Sequence, residues 1–118
     1  MKKTKSTIIY KKWDIVLVPF PFTDLSTTKR RPALIISPNQ HNTGNEIVIT
    51  FITSKLSLKG RMGDHLIIKW SEAKLPKPSL IRMRFATIDK QMIVKKIGRL
   101  VLEDIEEFKK QLSAFFIE

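Results

Sequence analysis

Three arginines and two hydroxyls are the residues of this chain best suited to chemistry on a phosphate. Arg31 closes a basic triplet with Lys29 and Arg30, immediately before Pro32. Thr53 and Ser54 close the apolar run EIVITFIT and open the next loop. Arg82 and Arg84 alternate with apolar residues in SLIRMRF, which sets both on one face of a strand. A guanidinium is a rigid fork of donors that stays protonated, so its natural task is to clamp a phosphate. Hydroxyls can align a substrate and donate to charge developing on its oxygens. Each group also has a plainer reading. The triplet could be three interchangeable surface bases, Thr53 and Ser54 ordinary turn residues at a strand end, and Arg82 and Arg84 the wet face of a strand.

Other chemistries are poorly supplied. No cysteine is present, which removes disulfides and thiolate metal sites. His41 and His65 lack a partner at ligand spacing; the first reads as an exposed loop residue, the second as a strand start. Asp64 and His65 are neighbours, and neighbours on a strand point to opposite faces. Five of the eleven acids lie in the last sixteen residues, where the exposed face of a helix accounts for them. There is no P-loop, dinucleotide-binding glycine pattern, GxSxG or HExxH. No metal or cofactor site is expected, so a nuclease built from these residues works without metal. That restricts the substrate to RNA, which carries its own nucleophile, the 2′-hydroxyl, beside each phosphate. Trp13, Trp70 and Phe20 could stack on bases, but a small core is the better use of them.

The elements that must hold these groups are short. Asp14–Phe20 is β-branched and apolar on both faces, as in a strand buried in a small barrel, and Pro19 and Pro21 end it or confine it to an edge. After the polar loop Thr23–Arg31, strands are expected over Pro32–Ser37 and Glu46–Thr53, separated by the loop Pro38–Asn45. A second long loop, Ser54–Gly63, leads to a strand over His65–Trp70. Residues 71–78, with Pro76 and Pro78, sustain neither a helix nor a central strand. Strand-like runs follow over Ser79–Phe85 and Met92–Leu100. From residue 102 the period becomes helical: Ile105, Phe108, Leu112 and Phe115 form one stripe, with Glu106, Glu107, Lys109 and Lys110 mostly opposite. Short strands followed by one helix predict a mainly β fold, a small bent antiparallel barrel with the helix laid against it.

The chain has 118 residues and room for one domain, expected over residues 1–118 with residues 1–12 as a basic lead-in and a helix over 102–116. The apolar runs are too short for a membrane span, and the basic start lacks the apolar core of an export signal; a cytoplasmic location is expected. The net charge is +11. Residues 1–31 and 72–100 each carry eight bases against two acids, whereas residues 101–118 are mildly acidic. Such an excess favours polyanionic partners, nucleic acid foremost.

Four segments, in order, resemble the MazF/PemK (Kid-like) toxins of bacterial type II toxin–antitoxin systems: WDIVLVPF, the loop ending in Arg31-Pro32, VITFITSK, and KPSLIRMRFATIDK. With the terminal helix, the likeness spans roughly residues 13–116. It implies an SH3-like antiparallel barrel with a C-terminal helix, acting as a homodimer and restrained by an acidic, partly disordered antitoxin. The activity it implies is sequence-selective, metal-independent cleavage of single-stranded RNA, leaving a 2′,3′-cyclic phosphate and a 5′-hydroxyl. By motif, Arg31 is the residue on the scissile phosphate and Thr53, with Ser54, stabilises the transition state. Lys29, Arg30, Arg82 and Arg84 are the expected contacts to nucleic acid. Trp13 stands where the family usually has glycine, and Arg84 where some members have aspartate, with the spacing to Thr87 one residue short. Asp14 and Asp24 are the nearby acids in sequence. Two further readings stay open: a non-catalytic nucleic-acid-binding barrel, and a CcdB-like inhibitor of gyrase.

Overall fold

A computed structural model describes residues 8–20, 29–56 and 60–117. Its strands are β1 (Asp14–Pro19), β2 (Arg30–Ile35), β3 (Glu46–Thr53), β4 (His65–Leu66), β5 (Leu80–Asp89) and β6 (Lys95–Arg99), followed by the helix α1 (Leu102–Ile117). They form one six-stranded sheet in the order β4-β5-β3-β2-β1-β6, with every pairing antiparallel. The sheet curls into a half-barrel with the helix laid against it, as the pattern of short strands and one closing helix predicts.

Both faces of the central strands are covered, which explains why β1 reads as apolar throughout. Val16, Val18, Ala33, Ile35, Ile47 and Ile49 face one cluster with Tyr10 and Ile93. Ile15, Leu34, Ile52 and Ile81 face the other, where α1 contributes Ile105 and Phe108. Trp13 and Trp70 pack against this second cluster, so the core reading of both tryptophans holds. On α1, Ile105 and Phe108 are buried and Leu112 half-buried, while Glu106, Glu107, Lys109 and Lys110 are exposed.

Pro19 ends β1, as expected; Pro21 and Asp24 lie outside the described residues. Three expectations need correction. Arg30 and Arg31 are not in the loop, and the second strand does not reach Ser37: β2 runs Arg30–Ile35 because both arginines pair with Pro19 and Val18 of β1. The strand expected over His65–Trp70 stops at Leu66, because the Asp104 carboxylate accepts from the backbone N–H groups of Ile68 and Lys69, both at 2.9 Å, and turns the chain there. Asp104 is therefore not on the exposed face of α1. It is 1% exposed, and His65 Nε2 lies 2.8 Å from its Oδ1. No described helix is long and apolar enough to cross a membrane.

Candidate active site

The β2–β3 ladder ends at the pair Ala33–Phe51. Extending that register by two residues would set Arg31 opposite Thr53, but the strands part before reaching that point. Pro32 assists the opening: it pairs with Leu17 of β1 and has no N–H to offer β3. The result is a cleft of about 240 Å³, whose lining includes Phe20, Arg31, Thr53, Ser54, Arg82 and Arg84, with Lys55 and Lys77 at its rim.

Each wall has a local cause. Arg31 is half-buried, and its guanidinium carbon lies 5.6 Å from the centre of the Phe20 ring, a cation–π contact that limits its swing. Phe20 in turn packs edge-on against Phe51, ring centres 5.5 Å apart. The Thr53 hydroxyl accepts from the Lys55 N–H at 3.1 Å, so its own proton is left to donate. Ser54 is exposed beside it.

The opposite wall is a bulge. Thr50 pairs with Phe85 and Ile52 with Ile81, so β5 carries Arg82, Met83 and Arg84 where β3 carries only Phe51. Bulges near sites re-aim side chains, and here both arginines turn into the cleft while Met83 packs on the core. The fully buried Thr50 holds the distortion: its hydroxyl donates to the Arg82 carbonyl and accepts from the Arg84 N–H at 3.2 Å. Arg82 is buried and its Nη2 donates to Asp64 Oδ2 at 2.9 Å, whereas Arg84 is exposed.

Five residues singled out from the sequence thus meet: Arg31, Thr53, Ser54, Arg82 and Arg84. Lys29 and Arg30 are exposed and do not line the cleft. Asp14 lies elsewhere, accepting from the Lys11 N–H and pairing with Lys96 and Arg99. Two residues were missed. Thr50 could have been suspected as the one hydroxyl inside the run IVITFI, and Asp64 from the glycine turn before it, but neither partner is near in sequence. Among the described residues, the cleft lining holds no carboxylate and no imidazole.

Strand order, curl and closing helix place the molecule among the small SH3-like β-barrels. Within that class the sequence decides: residues 11–116 match the pattern described as PemK-like, MazF-like toxin of type II toxin-antitoxin system, and the chain belongs to that family. Solved structures agree on the fold. A MazE–MazF complex from Deinococcus radiodurans superposes with a TM-score of 0.71 at 15% identity, covering 93% of this chain and 97% of that one. The Mycobacterium tuberculosis toxin MazF-mt6 gives 0.69 at 17% identity, covering 87% and 95%. An endoribonuclease in complex with its cognate antitoxin, from a mycobacterial species, gives 0.67 at 14% identity, covering 90% and 91%. No curated protein matches the chain.

Proposed function

We propose that this toxin is a sequence-selective endoribonuclease of single-stranded RNA that needs no metal. The observation that carries the reading is the meeting of Arg31 and Thr53 where β2 and β3 part, in a cleft with further guanidiniums on the facing wall. The ribose 2′-oxygen attacks phosphorus, the bond to the 5′-oxygen breaks, and the products are a 2′,3′-cyclic phosphate and a 5′-hydroxyl. With no carboxylate or imidazole among the described residues of the cleft lining, the attacking hydroxyl gives its proton to solvent water and the departing oxygen takes one from it. Arg31 neutralises charge growing on the phosphoryl oxygens, Thr53 and Ser54 donate hydrogen bonds to them, and Arg82 and Arg84 hold the flanking backbone. Related structures contain an antitoxin; for this chain the net charge of +11 suits an acidic one. Action in the cytoplasm as a homodimer completes the reading.

Cleavage of single-stranded RNA in excess EDTA, abolished by a 2′-deoxy substitution at the cut, is the expected result. Arg31→Ala should lose about 3–4 kcal/mol of transition-state stabilisation, the scale of a lost oxyanion donor. Normal turnover by that variant removes Arg31 from the mechanism. Salt-sensitive binding without new RNA ends would instead select the binding-only barrel.

A further inference from the structure

We infer that Asp64 is a positioning residue of the cleft, acting on RNA only through Arg82; the inference rests on the nuclease reading above. Arg82 forms part of the cleft wall, yet its side chain is 9% exposed, and that of Asp64 is 7% exposed. The other arginine and lysine pairs among the described residues have cations that are 42% or more exposed. Among the described residues, the Asp64–Arg82 pair combines a place at a wall of the cleft with exclusion from water.

The turn that delivers the carboxylate is specialised for the purpose. The Asp64 N–H donates to the Arg61 carbonyl at 3.0 Å, and the Arg61 N–H donates to Asp64 Oδ2 at 3.1 Å. Between them Gly63 has φ +88°, and a Cβ there would fall 2.5 Å from Met83 Cγ. Met83 is the middle residue of the bulge, so the turn is pressed directly onto the segment that carries Arg82 and Arg84. Only glycine meets both demands.

Stability does not account for the pair. Asp64 Oδ1 is buried with no hydrogen-bond partner, which is a cost, and an apolar pair of similar size commonly stabilises as well or better. What the carboxylate does supply is orientation. It fixes Nη2 of the guanidinium and offsets a positive charge that would otherwise repel Arg31 across the cleft and Arg84 beside it. Arg82 then holds a bound phosphate already aimed, which keeps the neighbouring 2′-hydroxyl in line for attack.

The test is a mutant cycle on single-stranded RNA in EDTA: wild type, Asp64→Asn, Arg82→Met and the double variant. Asp64→Asn should lower kcat about tenfold or more with KM within about threefold, and Asp64→Glu should recover part of the loss. On the Arg82→Met background, Asp64→Asn should change kcat by less than about threefold. Losses that multiply in the double variant, full kcat in Asp64→Asn, or a change confined to KM would overturn the inference. If Arg82→Met leaves a buried carboxylate that blocks folding, Arg82→Gln, whose amide can still donate to Asp64, replaces it at both corners of the cycle. NMR of the arginine side chains gives a readout independent of RNA. The Arg82 guanidinium protons should be distinct and slow to exchange in wild type and should average in Asp64→Asn. Wild-type protein that leaves RNA intact refutes the nuclease; freely exchanging Arg82 protons in active wild type refute the hold.

Discussion

Thr50 shows how much one buried hydroxyl can organise. Its side chain answers backbone groups on both sides of the β5 bulge, so Thr50→Val, equal in shape, leaves a buried N–H and carbonyl without that partner. About 1–3 kcal/mol of stability should be lost, read as a lower urea midpoint, and RNA cleavage should fall because Arg82 and Arg84 lose their aim. Thr50→Ser should keep most of both. Trp13 is another residue under constraint. Its φ of +78° lies in the left-handed region that favours glycine, at a strain of about 1–3 kcal/mol. The strain is offset by its N–H to the Ile35 carbonyl at 2.7 Å and its ring edge-on to Phe108 at 6.2 Å. The sequence marks Trp13 as a departure from the family's glycine, but what allows it, the helix residue Phe108, comes from the far end of the chain.

Among the described elements, α1 packs on the sheet through Ile105 and Phe108 and is hydrogen-bonded to the segment after β4 through Asp104. Asp104, in its first turn, receives the N–H groups of Ile68 and Lys69 and faces the His65 ring. Asp104→Ala should cost about 3–5 kcal/mol, the scale for breaking a buried charged network. That is a large share of a small domain's stability, and it should appear as a lower melting temperature with faster amide exchange at residues 68 and 69. The same contact marks the limit of what the sequence reveals about elements. β1, β2, β3 and α1 were legible because their apolar periods are local, and β3 keeps its expected bounds, Glu46–Thr53. β4 was overestimated because the carboxylate that ends it is supplied from the helix. The bulge was hidden too: Arg82 and Arg84 read as a plain alternation, and only the offset against Thr50 and Ile52 reveals the two extra residues. Arg31 and Thr53 were visible as types, but their meeting depends on the early end of the β2–β3 ladder.

At the level of the whole molecule, charge governs encounter and burial governs endurance. Binding of a non-cleavable 2′-deoxy-substituted strand should weaken steeply with salt. Arg84→Gln should reduce the log–log slope by about 0.7, the share of one phosphate contact on a single strand. Stability should follow pH through Tyr10, whose phenol is pushed above its ordinary range by burial. The folded chain then keeps that proton to higher pH than the unfolded chain does. The contribution is complete below about pH 10 and is lost as pH rises through the folded value. Urea midpoints should therefore decline on the alkaline side, less so in Tyr10→Phe. The strand order carries one more consequence, for biosynthesis. β3 takes β5 as its neighbour, and β1 gains its outer one only from β6. A ribosome translating this toxin has therefore released β5, which carries Arg82 and Arg84, before the cleft can assemble.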